Sequence, residues 1–448
     1  MTRALILWLA TLCADCVGAT YYISTNGNNG ASGAIGAPWA TLQKGFDIAT
    51  AGDTIYLNDG LHSGVSYSAR SGTSNSPIVL TGSANAVIGN DACVLQHSYI
   101  YIRDTSFTGQ CIRLDGTNAN YNTFSNVLFF NNTGIGIYYL NTVGPQVTNG
   151  PSFNKITTCT FSNAISYHYL AIGASYNLIE SNRFLRSNGY DAIRMFGLSN
   201  IVRCNEFNGV SPSPVNGNHA DIIQTWSGGA GVDTYSKGIL FEKNVIFNCD
   251  AQLCNLTDDY DSPNVTGWIF RNNIIAYSRG QANIYIPSSE WYNNTFYHCR
   301  GPAFVLFRIS DTRGSAHNTR FMNNFMIECG NPPTGANYGT YSLAGGLTNC
   351  VGDYNFYAGP DGATKNLVET TGINGGYPHF VKAIGYDYRL LSTSPARGAG
   401  TNLSAIFDDD IAGTPRGSSW DIGAYQGAYS AWSKHIRAGR IVVQSIGP

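Results

Sequence analysis

Within the stretch "NGNHADIIQTW", residues 216–226, His219, Asp221, Gln224 and Trp226 fall inside eight positions. An imidazole titrates near neutrality and can take up a proton as a general base. Carboxylates can serve as acid–base groups or supply the hard oxygen ligands that calcium prefers. A second stretch, "NGYDAIRMF" from Asn188, places Asp191 and Arg194 at the same separation as Asp221 and Gln224. A guanidinium such as Arg194 can grip a carboxylate through two parallel hydrogen bonds. The candidate catalytic residues are therefore His219, Arg194, Asp221 and Asp191. Further along, "NCDAQLCNLTDDYD" concentrates acids, and Asp258 and Asp259 join Asp221 as candidate ligands for Ca²⁺.

Residues this far apart need a scaffold that brings them together. The chain repeats one pattern: a large apolar residue, two spacers, Asn, one spacer and an apolar residue. It occurs as "IESNRF", "VRCNEF", "FEKNVI", "FRNNII", "WYNNTF" and "FMNNFM", with Asn182, Asn205, Asn244, Asn273, Asn294 and Asn324 in the slot; "ITTCTF" puts Cys159 there. Units of roughly 20–40 residues with short alternating strands indicate a solenoid. Apolar and polar residues alternate, with Gly, Asn, Ser and Pro between, which is strand chemistry. Stacked coils lie about 4.8 Å apart, so a buried Asn can bond to its equivalent in the next coil. Five residues past the slot, Cys249, Ser278, Cys299 and Cys329 form a column of small residues, with the cysteines expected to pack as free thiols and a Cys299–Cys329 disulfide as the alternative.

Aligning coils on the Asn slot puts Ile137, Leu170, Ile193, Ile284 and Val305 at one inward position. Strand neighbours point outward. Asp191 and Asp221 then share a column, as do Arg194 and Gln224. Gln224, Trp226, His168, Tyr169, Tyr138, Asn283 and Tyr285 are the expected substrate contacts. Aromatic planes beside fixed polar groups suit carbohydrate.

Composition narrows the class. Charged residues are 12% of 448, the net charge is -2, and no basic run occurs. These values argue against a nucleic-acid partner held through phosphates. Arg3 precedes an apolar run from Ala4 to Leu12, and Val17-Gly18-Ala19 are small, so residues 1–19 are expected to be a signal peptide cleaved near Ala19. No later apolar run reaches the ~18 residues of a membrane span. The expectation is a secreted, extracellular or periplasmic monomer.

The repeat resembles the right-handed parallel β-helix family of pectate lyases, alginate lyases, chondroitinase B-type lyases and several glycosidases. "YYISTNGNNGASGAIGAPWATLQKGFDIATAGDTIYLNDG" (21–60) is similar to that family's N-terminal cap and first coil, with Trp39 to Ala49 as a capping helix. "SPARGAGTNLS" and "DDDIAGTPRGSSWDIGAYQ", up to Gln426, resemble its closing segment. The implied organisation is an all-β right-handed parallel β-helix over 20–385, cap included, with a closing segment and tail over 386–448.

The resemblance implies a polysaccharide partner and, in the lyases, β-elimination at a uronate. There Ca²⁺ or Arg neutralises the carboxylate, and Lys, Arg or His removes the proton beside it. The pectate-type acidic spacing and groove Lys are missing here; Lys237 and Lys243 lie on another face. A His and Arg pair, as in alginate lyases of this fold, fits the residues better. Two alternatives compete. A glycoside hydrolase would use Asp191 and Asp221 as its carboxyl pair, although "NTD", "GHG" and "RIK" are absent. A non-catalytic glycan-binding protein would use the same face without chemistry.

Overall fold

A computed structural model describes residues 18–427, apart from 90–92, 110–111, 132–136, 140–149, 165–167, 213–218, 228–234, 259–262, 301–305, 311–316, 330–340, 345–348 and 359–368. Three long parallel sheets of 13, 11 and 13 strands form the body. Successive coils each contribute strands to these sheets, so sequence-distant segments become neighbours one coil apart. This is the expected right-handed parallel β-helix.

Alternation fills its interior. In the first sheet, Ile102, Phe124, Ile156, Ile179, Val202, Phe241, Phe270, Trp291 and Phe321 lie in one register column, all buried. In the third sheet, Phe107, Phe129, Phe161, Phe184 and Phe207 stack with ring centroids 4.6–5.4 Å apart. Like residues repeat because the coil spacing places identical side chains in contact.

The repeated Asn has a complete hydrogen-bonding account. The Asn182 amide donates to Asn205 Oδ1 at 2.9 Å, and the same bond continues through Asn244, Asn273, Asn294, Asn324 and Asn355 at 2.8–3.1 Å. Each side-chain Nδ2 from Asn182 onward also donates to the next Oδ1 or to a buried carbonyl, as Asn244 does to Val202 O. The residue before each slot is left-handed: Cys204, Lys243, Asn272, Asn293, Asn323 and Tyr354 have φ between 51° and 59°. Such a turn strains any residue with a side chain; the ladder holds it in place. A second ladder, Asn122–Asn154–Asn177–Asn200, runs along another corner, outside the repeat pattern. Cys159 sits in the slot as expected, its amide on Asn182 Oδ1. The eight described cysteines, Cys299 and Cys329 among them, are free.

The cap is shorter than expected. The helix runs Leu42–Ile48, N-capped by the Thr41 hydroxyl, and covers the first coil with Leu42 and Phe46. Trp39 precedes it and bridges to Ile23 in extended form. At the other end the closing segment does not sit on top of the stack. Residues 380–425 run along the outside of the third sheet, where Phe380, Tyr388, Leu390, Ile411, Ile422 and Tyr425 pack on Val245, Ile274, Phe325 and Phe356. Arg416, almost wholly buried, donates to Asn272 Oδ1 and to the carbonyls of Gly423 and Asp421. Gly423, at φ 89°, lies where a Cβ would meet Phe325 at 2.1 Å. Among the described residues no helix is long and apolar enough to cross a membrane.

Candidate active site

The second sheet carries the site, through the strands Leu170–Ile172, Ile193–Met195, Asp221–Trp226, Gln252–Thr257 and Ala282–Tyr285. Ile193 pairs with Ile223 and Arg194 with Gln224, so the expected columns hold. A regular strand would put Asp191 and Arg194 on opposite faces. Here two consecutive residues enter the core in each of three coils: Ala192 and Ile193, Ile222 and Ile223, Leu253 and Cys254. Each strand therefore turns by one place, and residues three apart emerge on the same side. Arg194 Nε then donates to Asp191 Oδ2 at 3.0 Å.

Asp191 is the hub. Its other oxygen, Oδ1, accepts the Asp221 amide at 3.1 Å. His168 Nδ1 lies 3.2 Å from the Asp191 carbonyl and 3.6 Å from Oδ2. Burial pushes the His168 imidazole down to about 4, so it is neutral at physiological pH. Asp221 is fully buried, and its Oδ2 lies 2.9 Å from His219 Nδ1. The other oxygen, Oδ1, is buried without a hydrogen-bond partner. Burial raises the Asp221 carboxyl well above the usual range; Asp191 pushes the same way, and the His219 bond opposes both. His219 is half-exposed, with its side chain 49% accessible. The hydrogen bond to Asp221 holds its pKa above the ordinary imidazole value, against the effect of burial.

The Arg194 guanidinium lies over Trp226, 4.9 Å from the ring centroid, and Trp226 meets Phe196 edge-on. Nε is bound to Asp191 and the plane rests on the indole, which fixes the fork while its side chain stays 30% exposed. Arg279, which the repeat pattern does not single out, also reaches this place and interacts with Asp221 and His219. Its Nε and Nη2 donate to Gln281 Oε1 at 3.2 and 3.1 Å. The signal for it in the sequence is "RGQAN", an Arg and a Gln two apart just before the Ala282–Tyr285 strand.

Other expected contacts separate. Tyr169 does not face the groove: it is buried in the core and its hydroxyl donates to Leu185 O at 2.7 Å. The bend before Leu170 turns it inward. Ile284 is two positions off the Ile193 column, which instead runs through Cys254 and Ala282. Asn283 stays beside the groove, in the column of Arg194, Gln224 and Asn255, with its amide bonded to Gln252 and Gln281. Tyr285 shares the column of Trp226 and Thr257 and is 5% exposed. Asp258 is buried. Val305, Asp259 and the Tyr138 side chain lie outside the described residues, as does most of the loop before His219.

Among the described residues, Asp191, His219 and Asp221 form the group able to hold a metal ion, their ligand atoms within 4.8 Å of one another. The donor set suits calcium poorly. Both Asp191 oxygens are engaged, Asp221 Oδ2 is on His219, and a histidine nitrogen is not a calcium ligand. Arg194 is bonded to Asp191, and Arg279 acts electrostatically on Asp221. The one orphaned oxygen of this donor set, Asp221 Oδ1, is buried.

A fully buried acid thus bonds a half-exposed imidazole near a fixed guanidinium on the flank of a β-helix. No family model matches the chain. It is 39% identical over 77 residues to pectate lyase PEL9 of Emericella nidulans, a match covering 16% of this chain and 19% of that protein. The chain thus spans about a fifth of that relative's length. Among solved structures, XylC in complex with xylose has a TM-score of 0.56 at 11% identity, covering 91% of this chain and 98% of that one. A mannuronic acid specific family 6 polysaccharide lyase from human gut microbiota has a TM-score of 0.51 at 15% identity, covering 79% and 83%. At these identities the likeness of the solved structures is one of fold.

Proposed function

We propose that the chain is an exported polysaccharide lyase that cleaves a uronate-containing glycan by β-elimination. The observation carrying this reading is the His219–Asp221 pair beside the fixed fork of Arg194. With its proton on Nδ1, toward Asp221, His219 offers the Nε2 lone pair to solvent. Arg194 binds the uronate carboxylate and stabilises the charge that develops there as the adjacent carbon loses its proton. Nε2 takes that proton. The C–H electrons form the ring double bond, and the 4-linked oxygen departs, protonated by the imidazolium or by water. Asp191 positions Arg194 and the Asp221 backbone; it touches no substrate.

The hydrolase reading has its carboxyl pair at close range, but burial weighs against it. Asp191 and Asp221 are both almost completely buried, and their ligand oxygens lie within 4.8 Å of each other and of His219. Carboxyl groups that flank a glycosidic bond must reach it. The pectate lyase match keeps calcium in play, although the donor set argues for Arg194 in its place. The test is ultraviolet absorbance of the unsaturated uronate on a panel of uronate glycans, with and without EDTA. The expected result is unsaturated product at a rate EDTA changes by less than about twofold. New reducing ends without that absorbance would point to hydrolysis, and loss of turnover with EDTA would restore a calcium role.

A further inference from the structure

The charge pattern along the groove bears on which glycan the site takes, and it rests on the reading that this face is the lyase groove. Register places one column in successive coils: Ala171, Arg194, Gln224, Asn255, Asn283, Arg308. Three neutral amide positions therefore follow Arg194, across roughly 14 Å at the coil spacing. The parallel column offers Trp226, Thr257 and Tyr285, again without charge.

Asn283, the last of these amides, is not arranged as an anion receptor. Asn283 donates to Gln252 Oε1, Gln281 donates to Asn283 Oδ1 at 3.1 Å, and Arg279 spends its Nε and Nη2 on Gln281 Oε1. The chain of bonds consumes donors and holds Arg279 beside Asp221 rather than along the groove. On the other side, Ala171 adds nothing charged, and Arg113, three coils before Arg194 in the same register, is paired with Asp115 at 3.4 Å. Among the described side chains of this column, positive charge is thus concentrated where the dyad lies. A homopolyuronate lays a carboxylate on every sugar, and each one opposite an amide–aromatic surface would lose hydration without gaining a cation. A polymer whose uronates are separated by neutral sugars meets the same surface with hydroxyls, which amide groups and aromatic planes accept.

We infer that the preferred substrate is a heteropolysaccharide with uronates spaced by neutral sugars, not a homopolyuronate. The experiment measures both binding and turnover. Binding of His219→Ala, and of His219→Gln as a second silent variant, is measured by affinity electrophoresis. The polymers are an alternating uronate–neutral sugar polymer, polygalacturonate and polymannuronate, matched in length. Turnover of the unaltered protein is followed on the same polymers. The expected result is at least tenfold tighter binding, and at least tenfold higher kcat/KM, for the alternating polymer. Gln224→Arg with Asn255→Arg should move the binding preference toward the homopolyuronates by tenfold or more. Equal or better binding of a homopolyuronate, no binding of either class, or no shift with the added arginines overturns the inference. If the alternating polymer is bound preferentially yet no polymer yields unsaturated product, the lyase reading falls and the specificity stands.

Discussion

Two corners of this helix bury polar groups, and they do so in opposite ways. Along the Asn182–Asn355 ladder each slot amide from Asn182 to Asn324 meets its counterpart one coil away, and the last, Asn355, closes on the Glu369 carboxylate. At Asp191 and Asp221 the buried groups are acids, one oxygen has no partner, and the set ends on a half-exposed imidazole. Closed repetition builds the scaffold, whereas a buried acid left incompletely satisfied is what a site requires.

That contrast can be broken from either side. The largest effect is expected from His219→Ala: a 10²–10⁴-fold loss of turnover, with the thermal midpoint moved by only a few degrees because the side chain is half-exposed. Unfolding of this variant would mean that His219 belongs to the scaffold. Next is Asn244→Ala, which orphans the Asn205 amide and the Val202 carbonyl. About 2–5 kcal/mol of stability should be lost in denaturant unfolding, with turnover per folded molecule unchanged.

A pH profile sharpens the contrast. The base must be neutral, so the acid limb of kcat/KM should follow the His219 pKa, which Asp221 raises. The limb is then expected above the ordinary imidazole value, and the residual activity of Asp221→Asn should show it moved to lower pH. An unmoved limb would detach Asp221 from the base. The smallest effect is expected at Tyr169→Phe, which removes one buried hydrogen bond: about 1 kcal/mol, and no change in turnover.

Much of the fold and part of the site are legible in the sequence, for physical reasons. The Asn slot repeats because a left-handed turn residue is followed by a side chain whose Oδ1 caps the slot amide of the preceding coil, and that demand is written at a fixed place in each unit. The pairing of Asp191 with Asp221 and Arg194 with Gln224 follows from counting off that slot. Tyr169 is misplaced when simple alternation is carried through a bend. The adjacent apolar pairs Ala192-Ile193, Ile222-Ile223 and Leu253-Cys254 are the trace such bends leave. Ile284 slips by two because this coil runs two residues shorter from its Asn slot to the strand, so Ala282 takes the Ile193 column. Arg279 stays hidden since a long side chain's destination depends on its partner Gln281, which no repeat specifies.

The strap of residues 380–425 grips the coils from Val245 to Phe356 and leaves the earlier ones untouched. Lys243 and Asn272 are tied to it as well, through Asp409 and Arg416. Pulled along its axis, the molecule is therefore a spring stapled over half its length. Coils before Asn205 are free to peel one at a time, as units in a nearest-neighbour stack do, while those beneath the strap leave together. The His219–Asp221 pair stands on the coil between Asn205 and Lys243, next to the stapled half.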